Sequence, residues 1–250
     1  AGRGSRLMPY TSDKPKCFTE LSGQRIVDWV MQAMEEGGAP VSVFIGGYRI
    51  DDIKASFPDL TFCENGDWPN NNILFSLMCA RDHFGDGFVS SYSDIVFDNA
   101  YVQGVVEHPG EIVIGVDTAW RTRYLERSEH PESDAEKVKL GADGTVLSLD
   151  RGLESEEADG EFVGVVKFSA PAAQALCEVF DELRDELGDE APFRNAAHFR
   201  KAYLIDMIQE LIDRGHTVHS AKVPGRYFEI DTTQDYELAA RDWPGSDPEE

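Results

Sequence analysis

Residues 1–16 read A-G-R-G-S-R-L-M-P-Y-T-S-D-K-P-K, a glycine-rich loop crowded with cations. Gly2 and Gly4 let a backbone approach a phosphate closely and turn its N–H groups toward it, with Ala1 and Ser5 in the same loop. Arg3, Arg6, Lys14 and Lys16 gather four cations into 14 residues. Leu7 stands where the dinucleotide fingerprint G-x-G-x-x-G needs its third glycine, and no Gly-Lys-Ser/Thr follows to make a Walker A loop. Such a loop normally follows a buried strand, and a doubly wound sheet without it leaves neighbouring strands unpaired. The reading therefore expects the chain as given to be truncated by about ten upstream residues that carry a first strand.

The rest of the chain makes those cations informative. Across 250 residues Lys+Arg total 23 and Asp+Glu 47, a net charge of −24, so sequence-independent binding to nucleic acid is excluded as an expectation. The bland reading is a solvated acidic surface, the sharper one a high-salt habitat. An anionic substrate needs a local cationic pocket in either case. The length suits one large domain with a small insertion. No apolar run approaches the roughly 20 residues of a membrane span, and the start has no signal-peptide core, so a cytoplasmic protein without a membrane partner is expected. Cys17, Cys63, Cys79 and Cys177 form no C-x-x-C pair and read as free thiols. His216 and His219, in a probable strand, fall on opposite faces, which argues against a shared metal.

Helical and strand periods alternate. A helical stripe from Ile26 to Met34 precedes the apolar strand 41–45 and the Gly46-Gly47 turn. Strands near 60–63, 87–92 and 111–116 are separated by helical stretches at about 72–83 and 98–107. This spacing predicts a three-layer α/β/α, Rossmann-like domain with a mostly parallel sheet. The acidic segment 117–160 carries turns at Ala142-Asp143-Gly144 and Ala158-Asp159-Gly160 and reads as a small β-rich insertion. A strand at 162–168, a helix opened by Pro171, a helix at 199–214, strands at 217–223 and 227–231 and a helix at 233–242 complete a single domain, 1–242, with a tail from 243 to 250.

The string G-x-G-S-R-L-x-P-x-T-x-D-x-P-K resembles the signature of the sugar-phosphate nucleotidyltransferase superfamily. The resemblance implies that Ala1, Gly2, Gly4, Ser5 and Arg6 hold the triphosphate of a nucleotide, and that Arg6 and Lys16 act catalytically by neutralising its charge. Residues 91–97, S-Y-S-D-I-V-F, resemble the G-D-x-x-F strand end whose aspartate, here Asp94, binds Mg²⁺; Ser93 replaces the usual glycine. Residues 229–235, E-I-D-T-T-Q-D, resemble the later motif whose middle acid, Asp231, completes that metal site.

The stretch 71–77, N-N-I-L-F-S-L, is similar to one in phosphocholine cytidylyltransferases, which implies nucleotide contacts from Asn72 and Ser76. The pattern Asp117…Trp120-Arg121…Tyr124…Arg127…His130…Glu136-Lys137 resembles phosphonate-activating relatives. It implies substrate contacts from Trp120, Arg121, Tyr124, Arg127, His130, Glu136 and Lys137. Read without the family, these cations and aromatics suit an acceptor's phosphonate and alkylammonium groups, or equally surface ion pairs and core packing. The expected reaction joins CTP to a small phosphonate or phosphate ester. A hexose-1-phosphate uridylyl- or thymidylyltransferase is the rival, and a non-catalytic nucleotide-sensing subunit the third reading. A homodimer and a fused or pathway partner enzyme are left open by the sequence.

Overall fold

The structure, a computed structural model, describes residues 2–243; the expectations for Ala1 and for the tail beyond Trp243 lie outside the described residues. In chain order the elements are β1 (Glu20–Leu21), β2 (Gln24–Arg25), α1 (Ile26–Glu36), β3 (Val43–Gly46), α2 (Ile50–Ser56), β4 (Thr61–Glu64), α3 (Ile73–Met78), β5 (Gly87–Ser91), β6 (Ile95–Phe97) and α4 (Ala100–Glu107). There follow β7 (Ile112–Asp117), α5 (Arg121–Tyr124), β8 (Lys137–Leu140), β9 (Val146–Leu149), β10 (Gly160–Ser169), α6 (Ala170–Leu187), α7 (Leu204–Asp213), β11 (Val218–Val223), β12 (Tyr227–Glu229) and α8 (Thr233–Asp242).

The period-2 alternation of the central strands builds the three layers. Ile112, Ile114 and Val116 of β7, with Phe162, Val166 and Phe168 of β10, pack with α3, α6 and α7. Val113, Val163 and Val165 join the other core with α1, α4 and α8. The α/β/α architecture is the expected one. Its pairing is more mixed than the spacing implied: β3/β4 and β7/β11 are parallel, while β10 runs antiparallel to β5, β7 and β8. The cause is that the acidic segment returns into β10 without a crossover helix of sheet-spanning length, so β10 enters reversed. The insertion contributes the hairpin β8/β9 across the 142–144 turn. Residues 158–160 instead feed β10, whose partner is β8 rather than β9.

Among the described residues, β3 and β5 each keep one edge without a strand partner. β3 pairs with β4 and β5 with β10, and residues 39–45 and 87–93 line a largely apolar cavity of about 320 Å³ between the two sheets. Cys17 is buried, its thiol pushed up to about 12 by burial, and all four cysteines are free. His216 lies outside β11, and His219 stacks with His108. No helix of the described residues is long and apolar enough to cross a membrane.

Candidate active site

The glycine loop is shaped by Gly4, whose φ of +67° favours a residue without a Cβ. A Cβ there would stand 2.9 Å from the Lys16 Cβ, so the loop lies directly on the Lys16 side chain. Leu7, fully buried at the end of the 3-10 turn Ser5–Leu7, anchors the loop to the core. Thr11 Oγ1 donates to the Gly4 carbonyl at 2.8 Å. Arg6 consequently projects outward, with its side chain 57% exposed.

A short antiparallel ladder brings the two aspartates together. Ile95 of β6 pairs with Glu229 of β12, and the Ile230 N–H donates to the Asp94 carbonyl at 3.0 Å. Asp94 and Asp231 flank that ladder. A capping box then fixes Asp231: Thr232 caps α8, accepting from the Asp235 N–H, while Asp235 accepts from the N–H groups of Thr232 at 2.8 Å and Asp231 at 3.2 Å.

Lys16 Nζ lies 2.9 Å from Asp94 Oδ2 and also pairs with Asp231, which in turn accepts from Arg6. Burial works against the Lys16 charge, but the two aspartates outweigh it and hold the ammonium protonated. Asp231 is likewise opposed by burial and held below the usual carboxylate range by Lys16 and Arg6. A cavity of about 270 Å³ is lined by Gly2, Gly4, Ser5, Arg6, Lys16, Asp94 and Asp231, together with the Gly46–Tyr48 turn. Two carboxylates gripping one cation is a donor set that suits a hard, oxygen-seeking divalent ion. His130, Glu229 and Asp231 also offer donor atoms within 4.8 Å of one another. There, however, His130 is braced by Asp235, and an imidazole donor suits transition metals better than Mg²⁺.

The residues expected at the acceptor end are mostly committed elsewhere. Trp120 and Tyr124 form a small core with Ala135, and the Tyr124 hydroxyl donates to Glu161 at 2.5 Å. Arg121 is a surface residue paired with Glu132 at 3.2 Å and Glu156 at 3.4 Å. Arg127 donates to Asp235 at 2.7 Å and to the Glu229 carbonyl at 3.0 Å, and His130 bridges Asp235 and Glu229. Arg127 and His130 thus brace the segment that carries Asp231. Lys137 Nζ donates to the Arg151 carbonyl at 2.6 Å. Asn72 caps α3, accepting from the Ile73 N–H, and Ser76 bonds Asn65 and the Asn72 carbonyl. Neither lines the cavity beneath the glycine loop. Glu136 is buried, with its carboxylate 3.4 Å from the Tyr92 hydroxyl.

Sequence reasoning missed Asp235, Arg151, Tyr92 and Tyr203. For Asp235 a signal existed in T-T-Q-D at 232–235, a capping-box spacing. For Tyr92 the clue is Gly164. The register of β10 shifts between Phe162 and Val166, Gly164 adopts a φ of +79°, and a Cβ there would meet the Tyr92 ring at 2.5 Å.

No family model matches the chain. It is 28% identical over 249 residues to a CTP:phosphoglutamine cytidylyltransferase of Campylobacter jejuni, covering 95% of this chain and 96% of the relative. It is 23% identical over 246 residues to a UTP–glucose-1-phosphate uridylyltransferase of Haloferax volcanii, covering 96% and 92%. The solved CTP:phosphocholine cytidylyltransferase of Streptococcus pneumoniae shares the fold, with a TM-score of 0.70, 17% identity and coverage of 96% and 95%. These similarities, with the shared fold, support the reading of the chain as a nucleotidyltransferase of the sugar-phosphate type. As a nucleotidyltransferase it folds the superfamily's glycine-loop signature directly against Lys16, Asp94 and Asp231.

Proposed function

We propose that this nucleotidyltransferase moves CMP from CTP to a small phosphorylated or phosphonylated alcohol or amine and releases pyrophosphate. The observation that carries the reading is Lys16 clasped by Asp94 and Asp231 directly beneath the glycine loop. Supporting it is the end-to-end similarity to a cytidylyltransferase.

In this reading the acceptor's phosphate or phosphonate oxygen attacks the α-phosphorus in line, and the bond to pyrophosphate breaks. That oxygen is already ionised at neutral pH, so no general base is required. Gly2, Gly4 and Ser5 present backbone to the triphosphate, and Arg6 and Lys16 offset the charge that builds on the leaving group. Asp94 and Asp231 would hold a divalent cation, Mg²⁺, whose charge would offset that of the phosphate oxygens. Arg127, His130 and Asp235 keep Asp231 in place.

The test is pyrophosphate release with Mg²⁺ and CTP, UTP or dTTP, across phosphocholine, 2-aminoethylphosphonate, 2-hydroxyethylphosphonate, phosphoglutamine and glucose 1-phosphate. Turnover of CTP with one of the first four is expected. Turnover confined to UTP and glucose 1-phosphate would replace this reading with the uridylyltransferase one, which the Haloferax relative favours. Nucleotide binding with no product from any acceptor would leave a sensing subunit.

A further inference from the structure

We propose that Glu136 and Arg151, walled by Tyr92 and Tyr203, form a recognition subsite for an acceptor that carries both an ammonium and a carboxylate beside its phosphate or phosphonate. The inference rests on the nucleotidyl-transfer reading above. Four segments remote in sequence converge here. Glu136 immediately precedes β8, Arg151 lies in the turn after β9, Tyr92 immediately follows β5, and Tyr203 caps α7. The Tyr92 hydroxyl lies 3.4 Å from the Glu136 carboxylate, and Tyr92 stands two residues before Asp94, which ties the group to the proposed reaction centre.

The pair is under-satisfied as it stands. Arg151 Nη2 donates to Glu136 Oε1 at 2.9 Å, and the guanidinium sits 4.0 Å from the Tyr203 ring centroid. Its Nε is buried without a hydrogen-bond partner, and among the described residues Glu136 is the guanidinium's one hydrogen-bond acceptor. A guanidinium offers five N–H donors in a planar fork, and a buried ion pair repays its desolvation only when the remaining groups are bonded. Burial pushes the Glu136 carboxyl up to about 7 despite Arg151, so the pair alone does not offset its own burial. A ligand carboxylate supplies acceptors for the spare edge of the fork. A ligand ammonium supplies Glu136 with a second cation and lies against aromatic faces. A quaternary ammonium alone would leave the Arg151 fork unfilled.

Three probes separate these contributions: phosphoserine carries both groups, phosphoethanolamine only the ammonium, and ethyl phosphate neither. Each is titrated calorimetrically into the full chain in EDTA, where no turnover consumes it, and CTP with Mg²⁺ is titrated separately. The expected order is phosphoserine tighter than phosphoethanolamine, and phosphoethanolamine tighter than ethyl phosphate, by about tenfold at each step. Arg151→Met should lower phosphoserine to the level of phosphoethanolamine, and Glu136→Gln should remove the advantage of phosphoethanolamine over ethyl phosphate. CTP affinity should stay within about twofold in both variants. Arg151→Lys, which keeps the charge and loses the fork, should fall between. Phosphoserine binding no tighter than ethyl phosphate in the unsubstituted protein overturns the proposal, even where variants fail to fold. So does an Arg151→Met variant that weakens all three probes alike. Failure of the unsubstituted protein to bind CTP instead removes the transfer reading beneath it.

Discussion

Replacing Lys16 with alanine tests both the electrostatics of the site and its chemistry. At 2.9 Å from Asp94, with an effective dielectric of about 20, the pair carries roughly 6 kcal/mol of gross attraction. Most of that is offset by desolvation, and breaking a buried pair typically costs about 3–5 kcal/mol. The Asp94 side chain is 35% exposed and Asp231 keeps Arg6, so the lower end applies, about 3 kcal/mol. For a domain of this size that lowers Tm by about 6–12 °C, leaving a folded protein. The variant's two carboxylates are then open to a cation. Mg²⁺ at about 100 times its Kd returns roughly 2.7 kcal/mol. In the unsubstituted protein the same ion has to displace the Lys16 ammonium and gains less. Thermal melts in EDTA and in Mg²⁺ should therefore differ far more for Lys16→Ala than for its parent, while kcat with saturating CTP falls more than about tenfold, or 1.4 kcal/mol. Equal Mg²⁺ stabilisation of the two proteins would refute the competition between Lys16 and the metal. An unchanged kcat would remove Lys16 from the chemistry.

Gly4→Ala forces a Cβ against Lys16 at a left-handed φ, so CTP affinity should drop about tenfold or more at a cost of roughly 1–3 kcal/mol in stability; titration of CTP into a folded variant checks it. Asp235→Ala leaves Arg127 buried without its carboxylate and should cost about 3–5 kcal/mol in urea denaturation. Burial opposes the Asp235 charge, but His130 and Arg127 hold its carboxyl below the usual range. The unfolded chain therefore takes up that proton first: the stabilisation is complete above about pH 4 and is lost as pH falls toward the native value. Asp235→Asn should flatten the rise of the urea midpoint between about pH 2 and pH 4.

Much of this was legible because sequence order and spatial order agree where a strand passes into a loop. The glycine loop, β3, β7, α6 and α8 carry strong local patterns and appear where periodicity places them. Helix α2 escaped notice because seven residues with two buried isoleucines make too short a stripe to register. The insertion misled for a different reason. Trp120 and Tyr124, four apart, satisfy a helical core stripe as well as an aromatic binding wall, and the structure uses them as core. Arg127 and His130 look like ligand-binding cations in a one-dimensional reading, because their partners Asp235 and Glu229 are about a hundred residues away. Arg151 and Tyr203 carry no local pattern; only the folding of β9 and α7 onto one edge brings them to Glu136.

The site's charge balance gives a reason for this arrangement in a chain of net charge −24. Arg6 and Lys16 are the cations nearest the proposed triphosphate position, yet both are spent on Asp94 and Asp231, so the four groups sum to zero. A polyanion approaching this protein meets a repulsive field and a neutral pocket. The cations become available to phosphate oxygens only when another cation takes over the two carboxylates. Under the proposed function nucleotide and metal are therefore expected to bind with positive coupling, and linkage makes the effect reciprocal. Mg²⁺ should tighten CTP by the same factor by which CTP tightens Mg²⁺, and Lys16→Ala should reduce that factor because its carboxylates no longer hold a cation that has to be released. Kd values measured around the full cycle decide the point: independent binding of the two ligands would mean that the Lys16 clasp persists in the loaded enzyme and serves the fold rather than the phosphates.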